Sequence, residues 1–143
     1  MDPFPPSELK SERCPRISGN DIIELNDLRT SSESLKKPEA FLIDIRPNDE
    51  YMKAALPSSF NISLDKAFDN QNRIIDTRFQ RLLDRNRSLV KVVIGNSKNR
   101  KETVEFVNNL IVNNCTRVCM LHKGIDVFQT SGMLYVPKPS DLL

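Results

Sequence analysis

A chain of 143 residues with 38% hydrophobic and 28% charged positions is long enough for one domain with a modest core. Its 21 basic and 19 acidic residues leave a formal charge of +2, which gives no electrostatic basis for gripping nucleic acid. Three cysteines, Cys14, Cys115 and Cys119, cannot all pair within one chain, and the single histidine, His122, leaves too few ligands for a zinc site.

The odd cysteine count suits a reducing cytoplasm, and no metal or cofactor is expected. No apolar run approaches the roughly 18 residues of a membrane span, and the opening MDPFPPSELKSER is too polar for a signal peptide. The expectation is a soluble cytoplasmic protein.

Residues 1–16 carry Pro3, Pro5, Pro6 and Pro15 among mixed charges and read as a linker. ISGNDIIELNDL follows, with Ser18 as a plausible N-cap and an apolar stripe of Ile22, Ile23, Leu25 and Leu28. That pattern predicts a short helix over about 19–28. FLIDIR, 41–46, is a short apolar run stopped by Pro47, as a buried parallel strand should be. In PNDEYMKAA, Pro47 suits the first helical turn, and Asp49 and Glu50 complement the dipole there.

SFNISL predicts another strand, and RIIDTRFQRLLDRN places Ile75, Phe79, Leu82 and Leu83 at helical spacing. VKVVI, 90–94, is a further strand. The segment 98–114 is the longest predicted helix, burying Val104, Val107, Leu110 and Ile111. TRVCML, 116–121, reads as a strand, with Cys119 a small buried hydrophobe inside it. Strands alternating with helices predict an α/β domain over 17–137, with a tail at 138–143. Its parallel sheet would be covered on both faces and carry its site along the edge where the strands end.

The order of these motifs resembles the rhodanese family. The resemblance runs through Ile17 to Leu28, Phe41 to Arg46, Glu50 with Tyr51, Leu56 to Ser63, Val92 to Arg100, and MLHKGIDVF. It implies a rhodanese-like fold with a central, mainly parallel five-stranded sheet and helices on both faces. It also implies that the segment after VKVVI is the family's active-site loop, in which a Cys carries sulfane sulfur as a persulfide. Placed on that pattern, Gly95 takes the nucleophile position, Asn96, Ser97, Lys98 and Asn99 follow, and Arg100 closes the loop. Four residues separate Gly95 from Arg100, the sulfurtransferase length and one short of the phosphatase variant.

Glycine offers no thiolate, so the resemblance implies a degenerate site with no catalytic residue. The family's G-H is replaced by Ala54 and Ala55, and its second closing Gly by Lys123, leaving Gly124. His122 has no identifiable nucleophile to activate. Asp44 and Arg46 match the family's D-x-R and are expected to stabilise the fold as a bidentate pair.

CPRISGNDIIELNDL, VVIGNSKNRKETVEF and GMLYVPKP bring the chain closer to the rhodanese-like domains that close TBC-domain Rab regulators. This implies protein partners: other domains of the parent chain, Rab-related machinery, or an endosomal complex linked to trafficking and mTOR signalling. It implies no direct contact with nucleic acid. An alternative is an anion-binding module using Ser97, Lys98, Arg100 and Lys101 at the helix N-terminus. A second alternative is residual sulfur transfer by a displaced cysteine.

Overall fold

The computed structural model describes residues 16–18, 40–121, 124–128, 134 and 136–137. Its elements are β1 (Arg16–Ile17), β2 (Ala40–Asp44), α1 (Asn48–Lys53), β3 (Ser59–Asn61) and α2 (Leu64–Ala67). They continue with α3 (Thr77–Arg85), β4 (Val90–Ile94), a 3-10 turn (Ser97–Asn99), α4 (Arg100–Val112), β5 (Val118–Leu121) and a second 3-10 turn (Gly124–Phe128).

The five strands form one sheet in the order β1-β5-β4-β2-β3, every neighbour parallel. In the central register Ala40 lies beside Val90 and Asp44 beside Ile94. All strands therefore end on one edge, and that edge receives the loops after β2, β4 and β5.

Alternation along the strands divides the core in two. Phe41, Ile43, Val93 and Met120 meet Phe79 and Leu83 of α3 and Val104, Val107 and Leu110 of α4. An aromatic relay stiffens this side. Phe60 stacks on Phe79 with centroids 6.0 Å apart, and Phe79 meets Phe106 edge-on at 5.8 Å. On the other face, Leu42, Val92, Ile94 and Leu121 pack against Leu56, Ile125 and Phe128. Cys119 is buried there as a core residue, as its place in the strand predicts.

Several expected boundaries move. Arg16, assigned to the linker, pairs with Met120 as the first residue of β1, because parallel β5 leaves an edge to fill. The helix expected at 19–28 lies outside the described residues. Pro47 stands one position before α1, its carbonyl accepting the N–H groups of Glu50 and Tyr51. The strand expected through Leu64 stops at Asn61, and Leu64 opens α2, an element with no clear periodicity in the sequence.

Ile75 is not part of the α3 stripe. Asp76 caps that helix, its Oδ1 accepting the Phe79 N–H at 2.7 Å, so Ile75 lies ahead of the first turn and is 54% exposed. The long helix starts at Arg100 rather than 98 because Ser97–Asn99 form a tighter turn. It ends at Val112, and Asn114 then adopts a positive φ of 67°. Arg117, with φ of 56°, delays β5 to Val118. Burial of Val104, Val107 and Leu110 follows the expected stripe, with Ile111 packed at its margin. No described helix is long and apolar enough to cross a membrane.

Candidate functional site

β4 ends at Ile94, and the chain turns at once through Gly95–Asn99 into α4. The turn closes through its own side chains. Asn96 Oδ1 accepts the N–H groups of Lys98 and Asn99, both at 2.9 Å, while Asn99 Oδ1 accepts the Asn96 N–H at 2.7 Å. This is a reciprocal capping box built from two asparagines. The remaining N–H of the turn, on Ser97, donates to Asp126 Oδ2 at 3.0 Å. The amides of residues 96 to 99 thus all donate to oxygens of the chain itself.

The segment after β5 is clamped to this turn. The Ile125 N–H donates to the Gly95 carbonyl at 2.7 Å. Gly124, with φ of 67°, passes so close that a Cβ there would fall 2.5 Å from that carbonyl oxygen and 2.9 Å from Asn96 Cα. Ile125 and Phe128 bury themselves in the second core, which holds the strap in place.

Gly95 is itself buried. A Cβ built on it would overlap the Thr103 hydroxyl and lie 2.6 Å from Asn99 Oδ1. Thr103 is buried on α4, and its hydroxyl donates to the Asn99 carbonyl at 3.1 Å. The volume in front of Gly95 is therefore filled by two side chains that also hold the turn together.

At the end of β2, Arg46 folds back onto Asp44. Its Nε donates to Oδ1 at 3.0 Å, its Nη2 to Oδ2 at 2.8 Å, and its backbone N–H to Oδ1 at 3.0 Å. Arg46 Nη2 also reaches the Ala54 carbonyl at 2.7 Å, tying the strand end to the exit of α1. Burial pushes the Asp44 carboxyl above its ordinary range, and the hydrogen bonds and charge of Arg46 oppose that rise.

A cleft of about 800 Å³ opens over these elements. Its charged lining is mixed, with Arg46, Lys53 and Lys98 set against Glu50 and Asp126. Asn96 Nδ2 bridges the loop to α1 by donating to Glu50 Oε2 at 3.2 Å. The side chains of Ser97, Lys98, Arg100 and Lys101 are exposed around the turn rather than gathered inside it.

No cysteine lies at this edge among the described residues. Cys119 is in the core, and Cys115 precedes β5, at the opposite edge of the sheet from the loop. Burial pushes the Cys115 thiol up, against the nearby Lys91 ammonium. Cys14, His122 and Lys123 lie outside the described residues. Among those described, no group of three His, Cys, Asp or Glu side chains is placed to hold a metal.

Sequence reasoning reached the loop but missed Thr103 and Asp126. The asparagines at 96 and 99 carry a readable signal, since a cap residue with a second polar side chain three positions on is a capping-box pattern. Asp126 carries none, because its role depends on how the strand ends converge.

An all-parallel sheet with a strand-loop-helix element at its carboxyl edge, framed by an Asp-Arg pair and a terminal strap, defines a rhodanese-like domain. The family model for the rhodanese-like domain matches residues 25–131, and the chain belongs to that family. It is 33% identical to the TBC domain-containing protein kinase-like protein of Mus musculus over 144 aligned positions, and 31% identical to the Homo sapiens protein over the same length. Each alignment covers 95% of this chain, and the chain spans only 16% of those relatives' length.

Among solved structures, YnjE superposes with a TM-score of 0.58 at 10% identity, over 83% of this chain and 30% of that one. The Alr3790 protein from Anabaena sp. superposes with a TM-score of 0.51 at 16% identity, over 73% and 74%. At such identities these two likenesses speak to the fold alone.

Proposed function

We propose that this chain is a non-catalytic rhodanese-like module that holds protein partners or packs against other domains of a larger TBC-domain Rab regulator. The observation that carries this reading is the filled loop. Gly95 stands where the family's resemblance puts the nucleophile, Thr103 and Asn99 occupy the adjoining volume, and the turn's amides already have acceptors. A persulfide needs a thiolate and converging free donors beside it, and this arrangement supplies neither.

The parent context follows from the relatives' TBC domain-containing name and the length they have beyond this match. The resemblance drawn from the sequence motifs extends this reading to Rab regulation in endosomal trafficking and mTOR signalling. An anion grip by Ser97, Lys98, Arg100 and Lys101 is a weaker reading, because it would have to displace Asp126 and both asparagine oxygens from the amides.

The test is a thiosulfate-to-cyanide assay on the purified protein. No turnover above the blank is expected. Turnover that disappears in Cys119→Ser would overturn the reading and revive sulfur transfer by a displaced cysteine.

A further inference from the structure

We infer that the outward face of α3 docks an acidic segment of a partner protein, gripped by a stripe of arginines. The inference deepens the reading of the chain as an interaction module and rests on it. Five arginines, Arg73, Arg78, Arg81, Arg85 and Arg87, and no lysine fall between residues 73 and 87. Arg73 pairs with Asp69 at 3.2 Å, and Arg87 with Asp84 at 3.4 Å.

The other three recur at i, i+3 and i+7 along α3, so they share one face, and all are exposed. Arg81 and Arg85 make no hydrogen bond or ion pair with another described residue. Phe79 and Leu83 of the same helix point into the core, which turns the stripe outward.

Helix chemistry explains only one of the three. Arg85 suits the last turn, where the dipole favours a cation. Arg81 is central, and Arg78 stands in the first turn, where the dipole disfavours it. Arg78 is instead held 5.4 Å over the Phe60 ring, which stacks on buried Phe79. That support fixes one end of the stripe in place before a partner arrives.

Solubility needs no preference for arginine over lysine, whereas the planar guanidinium fork matches carboxylates two bonds at a time. Seven residues of helix place Arg78 and Arg85 about 10 Å apart. Carboxylates three residues apart on an extended segment, or at i, i+3 and i+7 of a helix, match that reach.

The surroundings favour a discrete protein segment over a continuous polyanion. The cleft of about 670 Å³ beyond Arg78 is lined by Asp65, Asp76 and Glu102 as well as Arg46 and Lys66. A phosphate backbone or an anionic bilayer spreading past the stripe would meet those carboxylates, on a chain whose net charge is only +2.

Isotope-labelled protein titrated with a short oligoglutamate peptide tests the inference by following the arginine Nε–H signals. Saturable shifts confined to Arg78, Arg81 and Arg85 are expected. Arg81→Gln with Arg85→Gln should weaken binding roughly tenfold, as loss of two exposed carboxylate pairs implies, with the melting temperature lowered by no more than a few degrees through the lost dipole contact of Arg85. Absent shifts, shifts centred elsewhere, or undiminished binding by the double variant would overturn it. So would equal or tighter binding to phosphatidylserine-containing vesicles or to single-stranded DNA in parallel titrations. The thiosulfate assay is independent of these outcomes, so the docking face and the non-catalytic reading stand or fall separately.

Discussion

The side-chain oxygen of Asn99 sits 2.7 Å from the Asn96 amide nitrogen and 2.6 Å from where a Cβ on Gly95 would lie. One carboxamide thus closes the turn and excludes a side chain from the residue that opens it. The Thr103 hydroxyl overlaps the same position. The glycine and its neighbours are mutually adapted, and position 95 cannot accept a side chain without displacing both.

Gly95→Cys should therefore destabilise the protein by about 1–3 kcal/mol, the usual cost of overpacking a filled site. Removing the obstructing oxygens with Thr103→Ala and Asn99→Ala in the same chain should make the added cost of Gly95→Cys smaller. Urea denaturation of the four combinations measures the coupling. Equal destabilisation by Gly95→Cys in both backgrounds would show that the volume is not contested.

Breaking the buried Asp44–Arg46 pair should cost about 3–5 kcal/mol for either Asp44→Ala or Arg46→Met, since each leaves its partner without compensation. The double variant should lose much less than the sum. Chemical denaturation reads both terms, and strict additivity would mean that the two residues act independently.

Phe79 is fully buried at the crossing of the aromatic relay, so Phe79→Ala should cost about 3–5 kcal/mol. Ile75→Ala, four residues earlier and 54% exposed, should change stability by only about 0.5 kcal/mol or less. Comparable losses at the two positions would move the helix start back to the boundary that periodicity suggests.

Lys91 is 2% exposed within the sheet, and its Nζ donates to the carbonyls of Arg87 at 2.6 Å and Thr116 at 3.1 Å. Lys91→Met should cost about 1–3 kcal/mol by leaving those acceptors without this donor. Burial holds the ammonium pKa below the ordinary 10.5, with Cys115 opposing and the charges of Arg117 and Arg87 reinforcing that fall. As pH climbs from the folded value toward 10.5, the native state sheds this proton first, so the unfolded chain binds more protons. The contribution of Lys91 to stability should rise across that window. The difference in unfolding free energy between wild type and Lys91→Met, followed against pH, isolates it.

Much of the architecture was legible because local patterns and tertiary demands agree. VKVVI and FLID are apolar apart from Lys91 and Asp44, as strands covered on both faces should largely be, and Phe79 with Leu83 mark the inner face of α3 at helical spacing. Boundaries were less legible where a side chain overrode the pattern. Asp76 caps α3 and leaves Ile75 outside, and Asn96 with Asn99 draws the start of α4 into a tighter turn.

Residue order alone establishes that Gly95 carries no thiol and that the loop runs four residues to Arg100, since both are matters of composition and spacing. It is silent on what fills the space beside Gly95. Thr103 is eight residues away and Asp126 thirty-one; Thr103 reaches the loop because the 3-10 turn runs straight into the first turn of α4, and Asp126 because parallel β5 delivers its following turn to the same edge. Whether the amides of such a loop stay open or are satisfied internally is set by that convergence, because hydrogen-bond partners are chosen by distance in space and not by distance along the chain.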